Sequence, residues 1–203
     1  MNTTENTLTN IDFLETESAA SLNEAGSRLA KSGEMQKAEE NFLKAIDLNP
    51  HFARSYHNLG ILQAAQQRTQ EAIKNLEKLI ELEPKIAEHF FNLATAYYLD
   101  GSYYESELCF SKALEIDKDH PDSLFNLGKL LFNQERTEEA ISKIERFHNI
   151  ERSNTEAMFI LGICFKKMND EKTARIYWEK ALDIDPDYHE ARNMMKELNE
   201  SDE

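Results

Sequence analysis

Pro50, Pro84 and Pro186 stand 34 and then 102 residues apart, and 102 is three times 34. Gly26, Gly60, Gly128 and Gly162 fall on the same 34-residue grid, with Ala94 in the vacant place, and Gly33 and Gly101 are 68 apart. All six glycines therefore occupy two positions of one repeat. A period of this length marks a stack of like units, each too small to bury its own apolar face and each packed on its neighbours.

With the prolines at position 32, repeats start at Ala19, Ala53, Ala87, Pro121 and Thr155 without insertions. Position 7 reads Ala25, Leu59, Leu93, Leu127, Leu161; position 20 reads Ala38, Ala72, Ser106, Ala140, Ala174; position 24 reads Phe42, Leu76, Phe110, Ile144, Trp178. Each repeat holds two apolar stripes at i, i+3, i+4, i+7 spacing, broken near position 15, so each is expected to form two helices. Small residues at positions 8 and 20 allow close helix approach, and large ones at 4, 11 and 24 fill the remaining space. Gly33, Gly101 and Asn169 at position 15 suit a helix end with positive φ, and proline at position 32 stops the second helix.

This pattern, with Tyr56-His57-Asn58-Leu59-Gly60 and Trp178-Glu179-Lys180-Ala181…Pro186 as its clearest stretches, resembles the tetratricopeptide repeat family over about five-sixths of the chain. The resemblance implies an all-α fold, a right-handed superhelical solenoid of five helix-turn-helix repeats. The expected organisation is a flexible segment 1–18, repeats 19–52, 53–86, 87–120, 121–154 and 155–188, a capping helix 189–199 and an acidic tail 200–203. There are departures from the pattern. Gln63 replaces the aromatic at position 11, and Leu79 and Phe147 stand at position 27 where other copies have alanine. Phe147 is expected to splay the junction of repeats four and five. Arg152 replaces the proline of repeat four, and the break is expected to survive through the capping-box pattern Ser153-Asn154-Thr155-Glu156. In the N-terminal segment Ile11, Phe13 and Leu14 are the sizeable apolar group, read either as a short turn in a tail or as a segment that docks in a groove.

In the first helix of a repeat, positions 4, 7, 8 and 11 face the second helix at about 100° per residue. Positions 2, 5, 6, 9, 12 and 13 face away, and the resemblance implies that they line a concave groove. Phe91, Phe125 and Phe159 at position 5, with Tyr98 and Phe132 at position 12, form an aromatic band there. Neighbouring helices bury part of such rings, and the remainder marks an interaction surface. Asn58, Asn92 and Asn126 repeat at position 6. Their amides suit the backbone of an extended peptide or the bracing of adjacent helices. Arg54, Lys129, Lys166 and Lys167 add positive charge to the groove, and Glu88, Asp122 and Glu156 line position 2, which favours a ligand of some basic character. A carboxylate clamp of the kind used by chaperone-tail binders of this family is absent: of Asn23, Ser27, Asn58, Glu88 and Asn92 only Asn58 fits, and Glu88 would repel a carboxylate.

The net charge of −15 argues against nucleic acid and an anionic membrane surface as partners. No apolar run is long enough to span a bilayer, and residues 1–14 lack a signal-peptide pattern, so a cytoplasmic protein is expected and the sequons at Asn2 and Asn199 are chance matches. No phosphate loop, flanked nucleophile or metal-spaced His/Cys cluster stands out, so no catalysis, cofactor or metal is expected. His51 and His120 fall in inter-repeat turns and His148 on a second helix; His57 is the histidine of the groove, suited to hydrogen bonding. Cys109 is expected outside and Cys164 on a flank. The expected function is a non-catalytic adaptor that holds a peptide or helix of another protein. The alternatives are a self-assembling scaffold, joined through Ile11-Phe13-Leu14 or Met194/Met195, and the targeting subunit of an enzyme complex, since no room remains for a catalytic domain.

Overall fold

The structure is a computed structural model that describes residues 18–201. Among them it is all helical: α1 (18–31), α2 (Met35–Leu48), α3 (Ala53–Ala65), α4 (Thr69–Leu82), α5 (Ala87–Asp100), α6 (Tyr103–Ile116), α7 (Pro121–Asn133), α8 (Thr137–Ile150), α9 (Thr155–Lys167), α10 (Glu171–Ile184) and α11 (His189–Ser201). The odd-numbered helices from α3 onward start at Ala53, Ala87, Pro121, Thr155 and His189. The even-numbered ones start at Met35, Thr69, Tyr103, Thr137 and Glu171. Both series advance by 34 residues.

The turn inside each pair is built alike five times. The residue at position 15 is left-handed: Gly33, Gln67, Gly101, Glu135 and Asn169 have φ of 86°, 62°, 82°, 62° and 61°. The next amide closes on the carbonyl at position 11, as Glu34 does on Leu29 at 2.9 Å and Arg136 on Leu131 at 3.0 Å. Gln67 and Glu135 hold this conformation with a side chain, at a cost that glycine avoids. Beside Gln67, the Arg68 guanidinium forks onto Glu39 of α2 at 2.7 and 2.8 Å and also pairs with Glu71. These contacts help to hold the strained turn in place.

The chain forms two compact units, Met1–Cys109 and Phe110–Glu203. In the first, Phe42, Leu59, Leu62 and Ala38 make the centre of the core, with Leu29, Ala30 and Ile46 packed around them. Close approach of α3 and α4 requires a bare backbone at Gly60, whose added Cβ would lie 2.7 Å from Leu76 Cγ. In the second unit, Leu124, Leu131, Ile144, Met158, Leu161 and Trp178 are fully buried. There Gly162 is constrained most: a Cβ would meet the Trp178 indole at 2.1 Å.

Helix α11 buries Ala191 and Leu198 and half-buries Met194 and Met195. It is tied down by Lys166–Glu197 (3.1 Å) and Arg175–Asn199 (2.7 Å). Residues Ile11, Phe13 and Leu14 lie outside the described residues.

Several local expectations change. Cys109 and Cys164 are both buried, Cys164 completely, because positions 23 and 10 face neighbouring helices. Burial pushes both thiols up to about 11, so they stay protonated at neutral pH. Helix α9 is capped by Asn154, whose side chain accepts from the Ala157 amide at 2.8 Å, so the cap sits one residue later than the Ser153 pattern indicates. Helix α8 ends at Ile150 without a proline. Phe147 is buried and its ring stacks on Phe125 of α7 at 4.8 Å.

Candidate functional site

The exposed stripe of a first helix is narrower than a two-helix reading of the repeat allows. Position 3 (Ser55, His89, Ser123, Ala157) and position 10 (Leu62, Ala96, Leu130, Cys164) are buried as well. In repeat one the same positions, Ser21 and Arg28, are exposed. A repeat inside the stack therefore covers one further side of its first helix, and positions 5, 6, 9, 12 and 13 remain for function.

In the first unit these positions are mostly polar. Asn23 of α1 is buried and its side-chain oxygen accepts from Asn58 Nδ2 at 2.8 Å and from Ser55 Oγ at 3.3 Å. Asn58 also donates to Ser27 Oγ at 3.3 Å. Asn58 thus ties α3 to α1, and its side-chain oxygen meets no donor among the described residues. Asn92 is buried and donates to Glu88 of its own helix at 3.4 Å. The rings of His57 and His89 meet edge to face at 5.9 Å. Burial, together with the neighbouring His89, lowers the His57 pKa, while His89 contacts the Glu83 carbonyl and carboxylate at 3.3 and 3.6 Å. Phe91 is half-buried, Arg54 is exposed, and Tyr98 is 36% exposed with its ring 5.5 Å from Tyr103. Between α1 and α3 an open cleft of ≈ 470 Å³ has Ala30, Lys31, Met35, Asn58, Ile61 and Ala65 among its lining residues.

In the second unit the stripe is aromatic and cationic. Phe125 is half-buried on Phe147, and Phe159 is half-buried against Tyr188 at 5.5 Å. Lys129 Nζ stands 5.3 Å above the Phe125 ring and 2.6 Å from Glu156, so α7 and α9 are joined across the stripe. Lys167 Nζ stands 5.3 Å above Phe132, which is also half-buried. Each ring is therefore only partly buried, and Phe125 and Phe132 each have a positive charge beside them. Asn126 donates to the Asp122 carbonyl of its own helix at 2.8 Å, and its side-chain oxygen meets no donor among the described residues.

The ten candidate residues thus separate by unit. Asn58, Asn92, Phe91, Tyr98 and Arg54 belong to the first, and Asn126, Phe125, Phe159, Phe132 and Lys129 to the second. The asparagines share a repeat position but have three different local partners. Sequence reasoning missed His89 and Tyr188. His89 lies at a position that only the preceding repeat buries, and Tyr188 at position 34 reads as linker although it returns to cover Phe159. An outer patch also went unread. Tyr104 is 75% exposed, and Leu99, Tyr103 and Leu108 are each exposed by half or more around the α5–α6 turn. Tyr104 and Leu108 lie four residues apart on α6, away from its buried Ser106, Phe110 and Ala113, and that spacing was the available signal.

Among the described residues no group of His, Cys, Asp and Glu could hold a metal ion, and no helix is long and apolar enough to cross a membrane.

Residues 75–184 match the model of the middle tetratricopeptide-repeat-like domain of cilia and flagella-associated protein 70. Residues 41–74 and 19–52 match tetratricopeptide repeat models. No curated protein matches the chain in sequence. Solved structures share the fold at low identity. YrrB, described as a tetratricopeptide repeat protein with an unusual peptide-binding site, has 20% identity and a TM-score of 0.75, over 86% of this chain and 90% of that one. PilF of Pseudomonas aeruginosa has 16% identity and a TM-score of 0.77, over 93% and 87%. MamA from Desulfovibrio magneticus RS-1 has 15% identity and a TM-score of 0.76, over 84% and 97%.

Proposed function

Since the chain belongs to the tetratricopeptide repeat family, we propose that it is a non-catalytic adaptor of the cytoplasm that holds a peptide or helix of a partner protein on its groove positions. Repeats 19–52, 53–86, 87–120, 121–154 and 155–188 carry the groove, and 189–199 closes the stack. The observation that carries this reading is the set of half-buried rings Phe125, Phe132 and Phe159, with Lys129 and Lys167 seated over two of them. Rings fixed on one side lose little freedom on binding, and an apolar side chain of the partner completes their burial. The accessible side-chain oxygens of Asn58 and Asn126 suit the N–H groups of a bound backbone.

Completing the burial of one Phe contributes up to roughly 1.5–3 kcal/mol, and each hydrogen bond about 0.5–1.5 kcal/mol. Phe132→Ala with Phe159→Ala is therefore expected to weaken a micromolar complex beyond capture while helical content stays intact. Affinity capture from lysate with the intact protein and the double variant, read by mass spectrometry, tests this. Recovery of the same partners by a folded double variant would refute the groove assignment.

A further inference from the structure

Helix α6 carries an apolar ridge that the repeat itself does not require. At position 18 Tyr104 stands where the other repeats have Gln36, Gln70, Glu138 and Lys172. At position 22 Leu108 stands where they have Glu40, Lys74, Ser142 and Ile176. Tyr104 is 75% and Leu108 51% exposed, whereas Ser106, Phe110 and Ala113 on the other side of the helix are buried. The two exposed side chains are one turn apart and about 40° apart around the axis, so they form one continuous ridge. The core of α6 is complete without them, and apolar groups that serve no core mark an interaction surface.

The charge beside the ridge is acidic. Residues 86–111 contain no Lys or Arg. Glu105 lies about 60° to one side of Leu108, and Glu107 about 60° to the other side of Tyr104. Glu105 is exposed and has no cationic partner among the described residues. Asp100, at the end of α5, accepts from three neutral groups: Thr69 Oγ1 at 3.0 Å, Gln70 Nε2 at 2.7 Å and Ser102 Oγ at 2.8 Å. Its charge therefore has no cation opposite it among the described residues. Asp100 and Glu105 line one hollow with Glu77 and Lys74 of α4, so three carboxylates stand there beside one ammonium group. Further along α6, Lys112 is held by Glu115 at 2.6 Å.

We propose that the Tyr104–Leu108 ridge docks an amphipathic helix of a partner protein, one whose apolar stripe is flanked by Lys or Arg. Side chains one turn apart form a ridge that seats in the groove between side-chain rows of a second helix. Basic residues beside that groove meet Glu105, Glu107 and Asp100, which sets the orientation of the helix and rejects acidic competitors. A second copy of this chain does not fit. Ridge against ridge brings Glu105 and Glu107 towards their own counterparts, between molecules of net charge −15. Positions 18 and 22 belong to a second helix, whereas the groove uses positions of first helices, so this surface is independent of the groove reading.

The test uses the full chain, isotope-labelled, and three synthetic helical peptides. The first has a Leu/Trp stripe flanked by Lys, the second has Glu for every Lys, and the third has Ser for the stripe. The expected result is that the first peptide alone binds, shifting the amide signals of residues 103–111, and that added salt weakens it. Tyr104→Ser with Leu108→Ser should raise its dissociation constant about tenfold or more, and Glu105→Lys should raise it severalfold. All three positions are exposed, so helical content should be unchanged by circular dichroism. Should the double variant lose helix, the signal map and Glu105→Lys decide. Equal binding of the Glu peptide or of the Ser-stripe peptide overturns the proposal, as does no binding of the first. So do signal shifts confined to other helices, or unchanged affinity in the folded double variant. Loss of binding in Phe132→Ala with Phe159→Ala, but not in the ridge variants, assigns the peptide to the groove and overturns docking on α6. Light scattering that shows a dimer abolished by Tyr104→Ser with Leu108→Ser assigns the ridge to a second copy and overturns it as well.

Discussion

The two units use one helical-pair plan with opposite side-chain chemistry. At position 11 the first unit has Gln63, which accepts from Asn75 at 2.7 Å, and Tyr97, which donates to Glu77 at 2.7 Å. At the same position the second unit has Phe165, stacked on Tyr177 with ring planes 7° apart. Position 5 repeats the contrast: Asn23 is bound into a polar network with Ser55 and Asn58, whereas Phe125 and Phe159 rest on other rings. The repeat backbone is therefore indifferent to how these sites are filled, provided that volume and hydrogen bonds are satisfied. Polar filling gives direction but consumes donors that a ligand could use. Aromatic filling leaves ring surface over. The second unit for that reason leaves more ring surface accessible, and the first is the better braced.

The largest expected difference between the units lies in their close helix crossings. Gly162→Ala drives a Cβ into a rigid indole that is itself anchored by Trp178 Nε1–H to the Phe159 carbonyl at 3.2 Å. It should cost about 2–3 kcal/mol. Gly60→Ala meets a leucine that can rotate, and the helix gains from losing glycine, so its cost should stay below about 1 kcal/mol. Thermal and denaturant melts of the two variants decide; equal losses would show that the indole yields as easily as the leucine.

Removing a position-5 ring should cost more than removing a position-6 amide. Phe125→Ala strips a half-buried ring from Phe147 and is expected to destabilise by about 2 kcal/mol. Asn58→Ala leaves Asn23 with its Ser55 bond and is expected to cost about 1 kcal/mol. Denaturant unfolding of both variants is the measurement, and a reversal would mean that the polar network carries the stack.

The units should respond alike at their strained turns. Gln67→Gly and Glu135→Gly relieve the left-handed backbone at φ 62° and should each stabilise by up to about 1 kcal/mol. A gain at only one site would show that the side-chain contacts around the turn, such as the Arg68–Glu39 fork, alter its cost.

The smallest effect concerns pH. Burial, with His89 beside it, holds the folded-state pKa of His57 below 6.5, so the unfolded chain binds the proton more readily. The stability tied to neutral His57 is complete above pH 6.5 and is lost as pH falls from 6.5 towards the lowered value. His57→Gln should flatten the melting temperature against pH in that window. His148, lowered by burial and by Lys180 and Arg152, should respond in the same sense in the second unit. An unchanged slope in His57→Gln would show that His57 does not contribute.

The helix pairs and their phase could be read from the chain because glycine, alanine and proline have few alternatives where backbones meet or a helix must stop. The position-15 turns at Gly33, Gly101 and Asn169, the close approach at Gly60 and Gly162, and the shared repeat position of Phe91, Phe125 and Phe159 all come from that periodicity. Side-chain partners could not be read in the same way. That Phe147 supports Phe125, that Tyr188 returns to Phe159, and that Cys164 is buried depends on which neighbouring helix covers which side. A period of 34 residues reports that neighbours exist, but not how their side chains interlock. Local propensity acts within a turn or two of helix and is written in consecutive residues. Packing joins residues some 20 to 30 positions apart through shape and volume, so it is settled only when the helices meet.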